Sequence, residues 1–313
     1  MTTFPLFHLP LVAMEHVLCM MNPCELIDLS GVSTRVHRTV ASFSRTKSKF
    51  QVVIAFTEER RISISVGDEC WTLRWTEKKS EVDKNVSETN QFSKHLPKIL
   101  MGAYNYIKDV LKCQLHLVYF HLDSFPNQNK LITDWLGVQA IDNIKIGNVD
   151  EETNDDLKYL GSNITVKEKF MLTTSDYKDD FQMEIPTMSS EILITNSRFI
   201  NFEQFLRLKN PHIAFFRSLV TDQELNKFLK SWMACKSHLS LEAFEINVSG
   251  PEAMEIIMDL PHEETADENA EETFKKKFNN PVVENWFDIK RCDGNVATVG
   301  FRYDKHRFFM LTR

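Results

Sequence analysis

A chain of 313 residues, 42% hydrophobic and 26% charged, has the make-up of a globular protein and excludes a disordered or fibrous one. Its formal net charge of −7 excludes a whole-protein nucleic-acid footprint, which needs a concentrated basic face. Nine glycines and 10 prolines leave little room for long flexible linkers. The basic clusters at 45–49 and 275–277 are short or have acidic neighbours and read as solvated surface.

The first element lies within residues 4–36, FPLFHLPLVAMEHVLCMMNPCELIDLSGVSTRV. From Leu11 to Met21 only Glu15 and His16 are not apolar, so a helix here is apolar nearly all the way round and must be covered on more than one side. No Lys or Arg precedes it, Pro5 and Pro10 interrupt it, and no small-residue cleavage site follows, so a signal peptide is not expected. The run is also far short of the roughly 20 residues that span a bilayer, and no membrane contact is expected. Pro10 suits a first helical turn, because its missing N–H would be unpaired there anyway. Asn22-Pro23-Cys24-Glu25 predicts a second helix, with Asn22 as N-cap, Pro23 at the first position and Glu25 as capping-box partner. Leu26, Ile27 and Leu29 give it an apolar face, and Gly31 is a natural stop. Ser33 can cap a third helix carrying Val36 and Val40.

A unit of about 35 residues is too small to bury its own apolar surface. The surplus face must meet either the rest of this chain or another protein. The order Leu9-Pro10, Val17-Leu18, Met21, Asn22-Pro23, Glu25-Leu26, Leu29-Ser30 and Val32-Ser33-Thr34-Arg35 resembles the F-box. That motif docks a protein onto the Skp adaptor of a Skp–cullin–RING (SCF) ubiquitin ligase. The resemblance implies adaptor contact by Leu9, Pro10, Leu11, Val17, Leu18, Met21, Pro23, Leu26, Leu29 and Val32, with cullin reached through the adaptor. Val12 stands where many F-boxes carry glutamate, Val36 where many carry tryptophan, and Gly31 where an apolar residue is commoner.

After the helices, FQVVIAF (50–56), RISISV (61–66) and CWTLRW (70–75) read as a β-meander. The polar stretch from Thr76 to Asn90 reads as a loop. KHLPKILMGAYNYIKDVLKC (94–113) has apolar residues at helical spacing, and QLHLVYF (114–120) is a strand. Helix-like and strand-like pieces then alternate, with strand centres near 117, 144, 168, 193, 214 and 245. Those spacings mostly fall in the range of leucine-rich repeats, roughly 20–29 residues, although no strict consensus recurs. The acidic stretch from Glu263 to Glu272 reads as an exposed loop. Asp293-Gly294 between two alternating runs predicts a two-residue hairpin, extended by a third run from Arg307 to Leu311, which would cap the stack. The expected fold is therefore mixed α/β, an N-terminal helical module followed by an irregular strand–helix domain that ends in a β-meander.

The early meander, LNKFLKSWM followed by LEAFEI (225–246) and the terminal FDIKRCDGNVATV (287–299) resemble the F-box-associated region of the large nematode-type F-box family. The resemblance implies an F-box over 1–45 and, over 46–313, a domain that recognises a target protein.

Little in the sequence points to catalysis. His116 and His121 lie on opposite faces of one strand. PHEET at 261–265 lacks the second histidine of a zinc-binding helix. GxxxxGK[ST], GxGxxG and GxSxG are absent, and no metal, cofactor or catalytic residue is expected. Cys113 and Cys235 could pair with distant histidines, but buried structural thiols are the simpler reading. Six scattered cysteines without framework spacing predict buried thiols in a reducing compartment, cytoplasm or nucleus, where the triplets at Asn85, Asn163 and Asn247 would stay unglycosylated. Two readings stay open: a non-catalytic receptor bridging adaptor and target, or an interaction scaffold whose helices pack on its own repeats.

Overall fold

The computed structural model describes residues 9–47, 50–76, 84–85, 88–92, 96–174, 176–178, 180–186, 188–265, 270–278, 283, 285–302, 304 and 306–313. The chain divides into two compact units, Met1–Ile144 and Lys145–Arg313.

The first unit opens with α1 (Leu11–Cys19), α2 (Pro23–Ser30) and α3 (Thr34–Lys47). The expected capping box closes the start of α2. The Glu25 N–H donates to Asn22 Oδ1 at 2.9 Å and the Asn22 N–H to Glu25 Oε2 at 2.8 Å. The Val36 N–H donates to Ser33 Oγ at 3.3 Å at the start of α3. Residues 4–8 and 48–49 lie outside the described residues.

The meander follows as β1 (Gln51–Phe56), β2 (Arg61–Val66) and β3 (Glu69–Thr76), antiparallel in sequence order. Gly67, at φ +57, takes the first central position of the two-residue turn between Val66 and Glu69, where a side chain would be strained. The stretch expected as a loop holds β4 (Lys84–Asn85) and β5 (Glu88–Phe92) instead, and its remainder, 77–83 and 86–87, lies outside the described residues. β5 pairs parallel with β3 from Thr72↔Glu88 to Thr76↔Phe92. ETNQF has no apolar alternation to announce it, because ladder pairing needs only backbone groups. Then come α4 (Leu96–Leu111), β6 (Gln114–His121) parallel to β1, and α5 (Asn129–Gly137). The strand order is β6-β1-β2-β3-β5-β4.

Gly31 ends α2 at φ −72, so a left-handed cap is not why glycine stands there. A β-carbon would lie 3.3 Å from the Asp28 carbonyl oxygen and 3.8 Å from the Tyr106 hydroxyl of α4, so its small size serves a close approach. Ser30 Oγ and the Tyr106 hydroxyl share a hydrogen bond at 2.8 Å, and His37 Nε2 lies 3.2 Å from Asp109 Oδ2. The N-terminal helices thus belong to one compact unit with the meander and α4, and that unit ends within β7 (Ile141–Val149). Ser30 and Tyr106 are 76 residues apart, a separation that local patterning does not reveal.

The second unit carries α6 (Asn154–Asn163), β8 (Val166–Thr174), β9 (Glu191–Ile194), α7 (Phe202–Arg207), β10 (His212–Phe215), α8 (Asp222–Met233), β11 (Ala243–Asn247) and α9 (Ala253–Ile257). β8, β9, β10 and β11 are parallel and paired in that order. Each expected strand centre from 117 to 245 falls inside a strand. Thr221 and Glu224 form a second capping box at the start of α8. Phe205 of α7, Phe228 of α8 and Phe244 of β11 meet with ring centroids 5.0–5.3 Å apart, filling the space between helices and sheet.

The chain ends in β12 (Glu263–Glu264), α10 (Ala270–Lys277), β13 (Asn285–Lys290), β14 (Val296–Arg302) and β15 (Arg307–Thr312). β13, β14 and β15 form the expected meander, and β15 pairs antiparallel with β11. The acidic stretch read as a loop begins in β12 and ends inside α10, with 266–269 outside the described residues. The hairpin has a three-residue loop, not two. The Arg291 N–H donates to the Asn295 carbonyl at 2.8 Å and the Gly294 N–H to the Arg291 carbonyl at 2.9 Å, so Cys292, Asp293 and Gly294 lie beyond the last pair. Only Gly294 takes a positive φ, +95, which suits a turn closed by one glycine.

The cysteines also depart from expectation. Cys235 and Cys292 are joined as a disulfide; of the free four, only Cys113 is buried. A partner 57 residues away leaves no spacing signature.

His238 packs between Phe205 and Phe228, at 4.9 and 5.0 Å, and burial pushes its pKa down to about 4. The fold therefore holds the neutral ring. Its stabilising contribution is full above the unfolded-state pKa of about 6.5 and drains as pH falls from there towards 4, by about 3 kcal/mol. Urea unfolding at pH 7, 5.5 and 4.5 is expected to show this loss, with a shallower acid slope in His238→Asn, whose side chain tolerates the positive φ found there.

Candidate protein-interaction sites

The first candidate site lies on α1 and the α2–α3 turn. Leu11, Val12 and Met20 are 64%, 67% and 78% exposed, and Val32 is 72% exposed. Pro10 is exposed as well, while Leu9, Val17, Met21 and Leu29 are half-buried. Leu18, Pro23 and Leu26 point the other way, into the unit's own core, and Leu18 is 1% exposed. Together with Met21, Phe43, Phe50, Val66 and Trp71, these inward residues line a cleft of about 340 Å³. Of the residues expected at a contact, Pro10, Leu11 and Val32 are therefore presented, whereas Leu18, Pro23 and Leu26 hold the helices in place. An apolar run that winds round a helix cannot tell by itself which side the chain covers.

Val12 and Met20 belong to the exposed set although the motif positions did not single them out. The excess of apolar residues on α1 was their signal, together with the glutamate commonly found at the position of Val12. Val36, in the position where tryptophan is commoner, is buried. The Cys24 thiol, beside this face, is held above its usual range by burial and by the nearby Asp28 and Glu25 carboxylates.

The second candidate site is a trough of about 550 Å³ in the second unit. Along β9 and β10, Ile192, Ile194, Ile213 and Phe215 are buried under the helices, so Glu191, Leu193, His212 and Ala214 face the opposite way. Leu193, Ala214 and Phe216 supply an apolar floor, and Lys277 and Phe278 line the same trough. Phe274 of α10 is fully buried in a cluster with Ala243, Phe309 and Leu311, against which Phe278 and Trp286 pack.

The charges around the floor are paired. Lys169 Nζ lies 2.5 Å from Glu191 Oε1, and Arg307 Nη2 lies 2.6 Å from Glu245 Oε1. The Arg307 guanidinium also sits 3.7 Å from the centre of the Phe216 ring. His212 Nε2 lies 2.8 Å from Glu242 Oε2 and 2.7 Å from Lys277 Nζ. A single ring nitrogen can donate to the carboxylate or accept from the ammonium, not both. The trace of this site in the sequence is the alternation in EILI and HIAF, where Glu191, Leu193, His212 and Ala214 fall opposite the buried residues.

The histidines His116 and His121 bring no third ligand together, and among the described residues no cluster of three or more metal-ligating side chains occurs. Burial pushes the Cys113 thiol up to about 11, which keeps it protonated and a poor nucleophile at neutral pH. Cys235, the other thiol considered, is bonded to Cys292.

Residues 6–48 match the family model of the F-box domain, and residues 180–246 match the model described as F-box associated. The chain thus carries an F-box domain and an F-box-associated region. The first match covers α1, α2 and α3. The second covers β9, α7, β10 and α8 and most of β11, and so includes the floor of the trough. No curated protein and no solved structure matches this F-box protein.

The two kinds of apolar residue in the F-box separate by stability. Leu18→Asp places a charge in the core and is expected to cost at least about 3 kcal/mol. Leu11→Asp and Val12→Asp are expected to stay within about 0.5 kcal/mol of wild type. Chemical denaturation of the purified variants checks both.

Proposed function

We propose that this F-box protein is a non-catalytic substrate-recognition subunit of an SCF-type ubiquitin ligase. The observation that carries the proposal is the apolar surface left bare on α1 by an F-box whose remaining face is packed inside its own unit. Leu11 and Val12 are neighbours on α1, and exposed apolar side chains grouped in this way mark interaction sites. The Skp adaptor covers that surface, and cullin is reached through the adaptor. The F-box-associated region holds a target protein in the trough.

The protein's share of catalysis is then positioning. Tethering raises the effective concentration of target lysines at the ubiquitin-transferring enzyme, so the receptor needs no catalytic residue, metal or cofactor of its own. The chain works in the cytoplasm or nucleus, where its substrates meet the ligase.

A second reading, an interaction scaffold without a ligase role, draws on the packing of α2 and α3 against α4 through Ser30–Tyr106 and His37–Asp109. It predicts that the exposed face of α1 is dispensable.

Burying one Leu or Val side chain is worth about 1.5–3 kcal/mol, roughly 10- to 100-fold in affinity. Leu11→Asp with Val12→Asp is expected to weaken Skp-adaptor binding by at least that factor at unchanged fold, measured by titration of the purified full chain. Wild-type affinity in the double variant refutes the receptor reading and favours the scaffold. Ala214→Trp, which fills the trough, is expected to retain the adaptor and to lose the target, scored as a protein that accumulates when the receptor is removed.

A further inference from the structure

The cysteine pair occupies an unusual place. α8 ends in a tight cap: the Cys235 N–H donates to the Trp232 carbonyl at 3.0 Å and the Lys236 N–H to the Ser231 carbonyl at 2.9 Å. The residue at Cys235 takes φ +56. That position of such a cap normally belongs to glycine, because a β-carbon there costs about 1–2 kcal/mol. Here a cysteine stands where the backbone favours glycine, and its sulfur meets Cys292 at the tip of the β13–β14 hairpin.

The hairpin tip is aligned on α8 by contacts other than the bond. The Cys292 N–H donates to the Met233 carbonyl at 2.8 Å. The Arg291 guanidinium lies 5.0 Å from the Trp232 ring, donates to the Leu239 carbonyl at 3.1 Å, and is held by both carboxylate oxygens of Asp293. Breaking the sulfur link therefore leaves two thiols facing each other, ready to close again. From the tip the strand leads to Trp286, whose ring packs 4.6 Å from Phe274 of α10. α10 in turn brings Lys277 to the trough.

We propose that Cys235 and Cys292 form a reversible thiol–disulfide latch that exchanges with the glutathione couple and, when closed, firms the α10 side of the trough. Closing joins the two sulfurs and releases two protons and two electrons. One glutathione disulfide takes them up through a mixed disulfide and leaves as two glutathione thiols; opening is the reverse. The redox step stands on the geometry of the pair. Only its consequence for target binding rests on the trough being the target site.

The full chain, equilibrated in glutathione buffers from fully reduced to fully oxidised, tests this by non-reducing peptide mapping, thermal unfolding and amide hydrogen exchange. The expected result is a 235–292 linked peptide that appears and disappears with the buffer ratio. A bond closing a loop of 57 residues is expected to raise the unfolding midpoint by roughly 10 °C. Exchange in 270–278 and 285–302 is expected to slow when the bond is closed. Cys235→Gly is expected to match or exceed the reduced wild type in stability and to ignore the redox buffer. Thiols that stay free in glutathione disulfide overturn the latch, as does a bond that survives reduced glutathione or exchange in α10 that is the same in both states. If Cys235→Gly does not fold, Cys292→Ser is read in its place. A mistaken target site shows itself differently, as Ala214→Trp keeping the target while the latch still opens and closes.

Discussion

Two parallel strands cannot be joined by a tight turn; the chain must cross over, and the crossing segment has to lie on a face of the sheet. In the second unit that constraint sets nearly everything else. α7 and α8 cross between β9, β10 and β11 and bury Ile213, Phe215 and Phe244 beneath Phe205 and Phe228. Every odd step along those strands is thereby committed to the core. The even steps are left with Glu191, Leu193, His212, Ala214 and Glu245, which become the lining of the trough. The terminal meander obeys the complementary rule: antiparallel strands need only short turns, and β13, β14 and β15 pair in sequence order.

The F-box settles a different problem. Three short helices cannot surround their own apolar residues, and here the surplus is divided. Leu18, Leu26, Val36 and Val40 go inwards, while Leu11, Val12, Met20 and Val32 stay in solvent. Ser30 and His37, reaching Tyr106 and Asp109, fix which way the division falls. The exposed apolar surface is thus defined as much by α4 as by the motif itself.

What was legible in the sequence is what depends on near neighbours. Asn22 with Glu25, Ser33 with Val36, the Gly67 turn and the period-two strands act within a few residues, and the structure has them where the pattern places them. The illegible parts are long-range. Ser30–Tyr106 and Cys235–Cys292 join residues 76 and 57 positions apart. β5 is held by backbone groups that every sequence carries. The inward turn of Leu18 and Leu26 depends on Phe43, Phe50 and Trp71, with which they share a cleft. Gly31 shows the limit of reading a residue by its commonest use: a helix stop in the sequence, it proves to be clearance for the Asp28 carbonyl oxygen.

The arrangement around His212 has one more consequence. Its Nε2 stands between a carboxylate on one side and an ammonium on the other, and serves one of them at a time. Whichever of the two the ring serves, the other must find its hydrogen bond elsewhere, so the imidazole works as a pivot between two opposite charges rather than as the fixed partner of either.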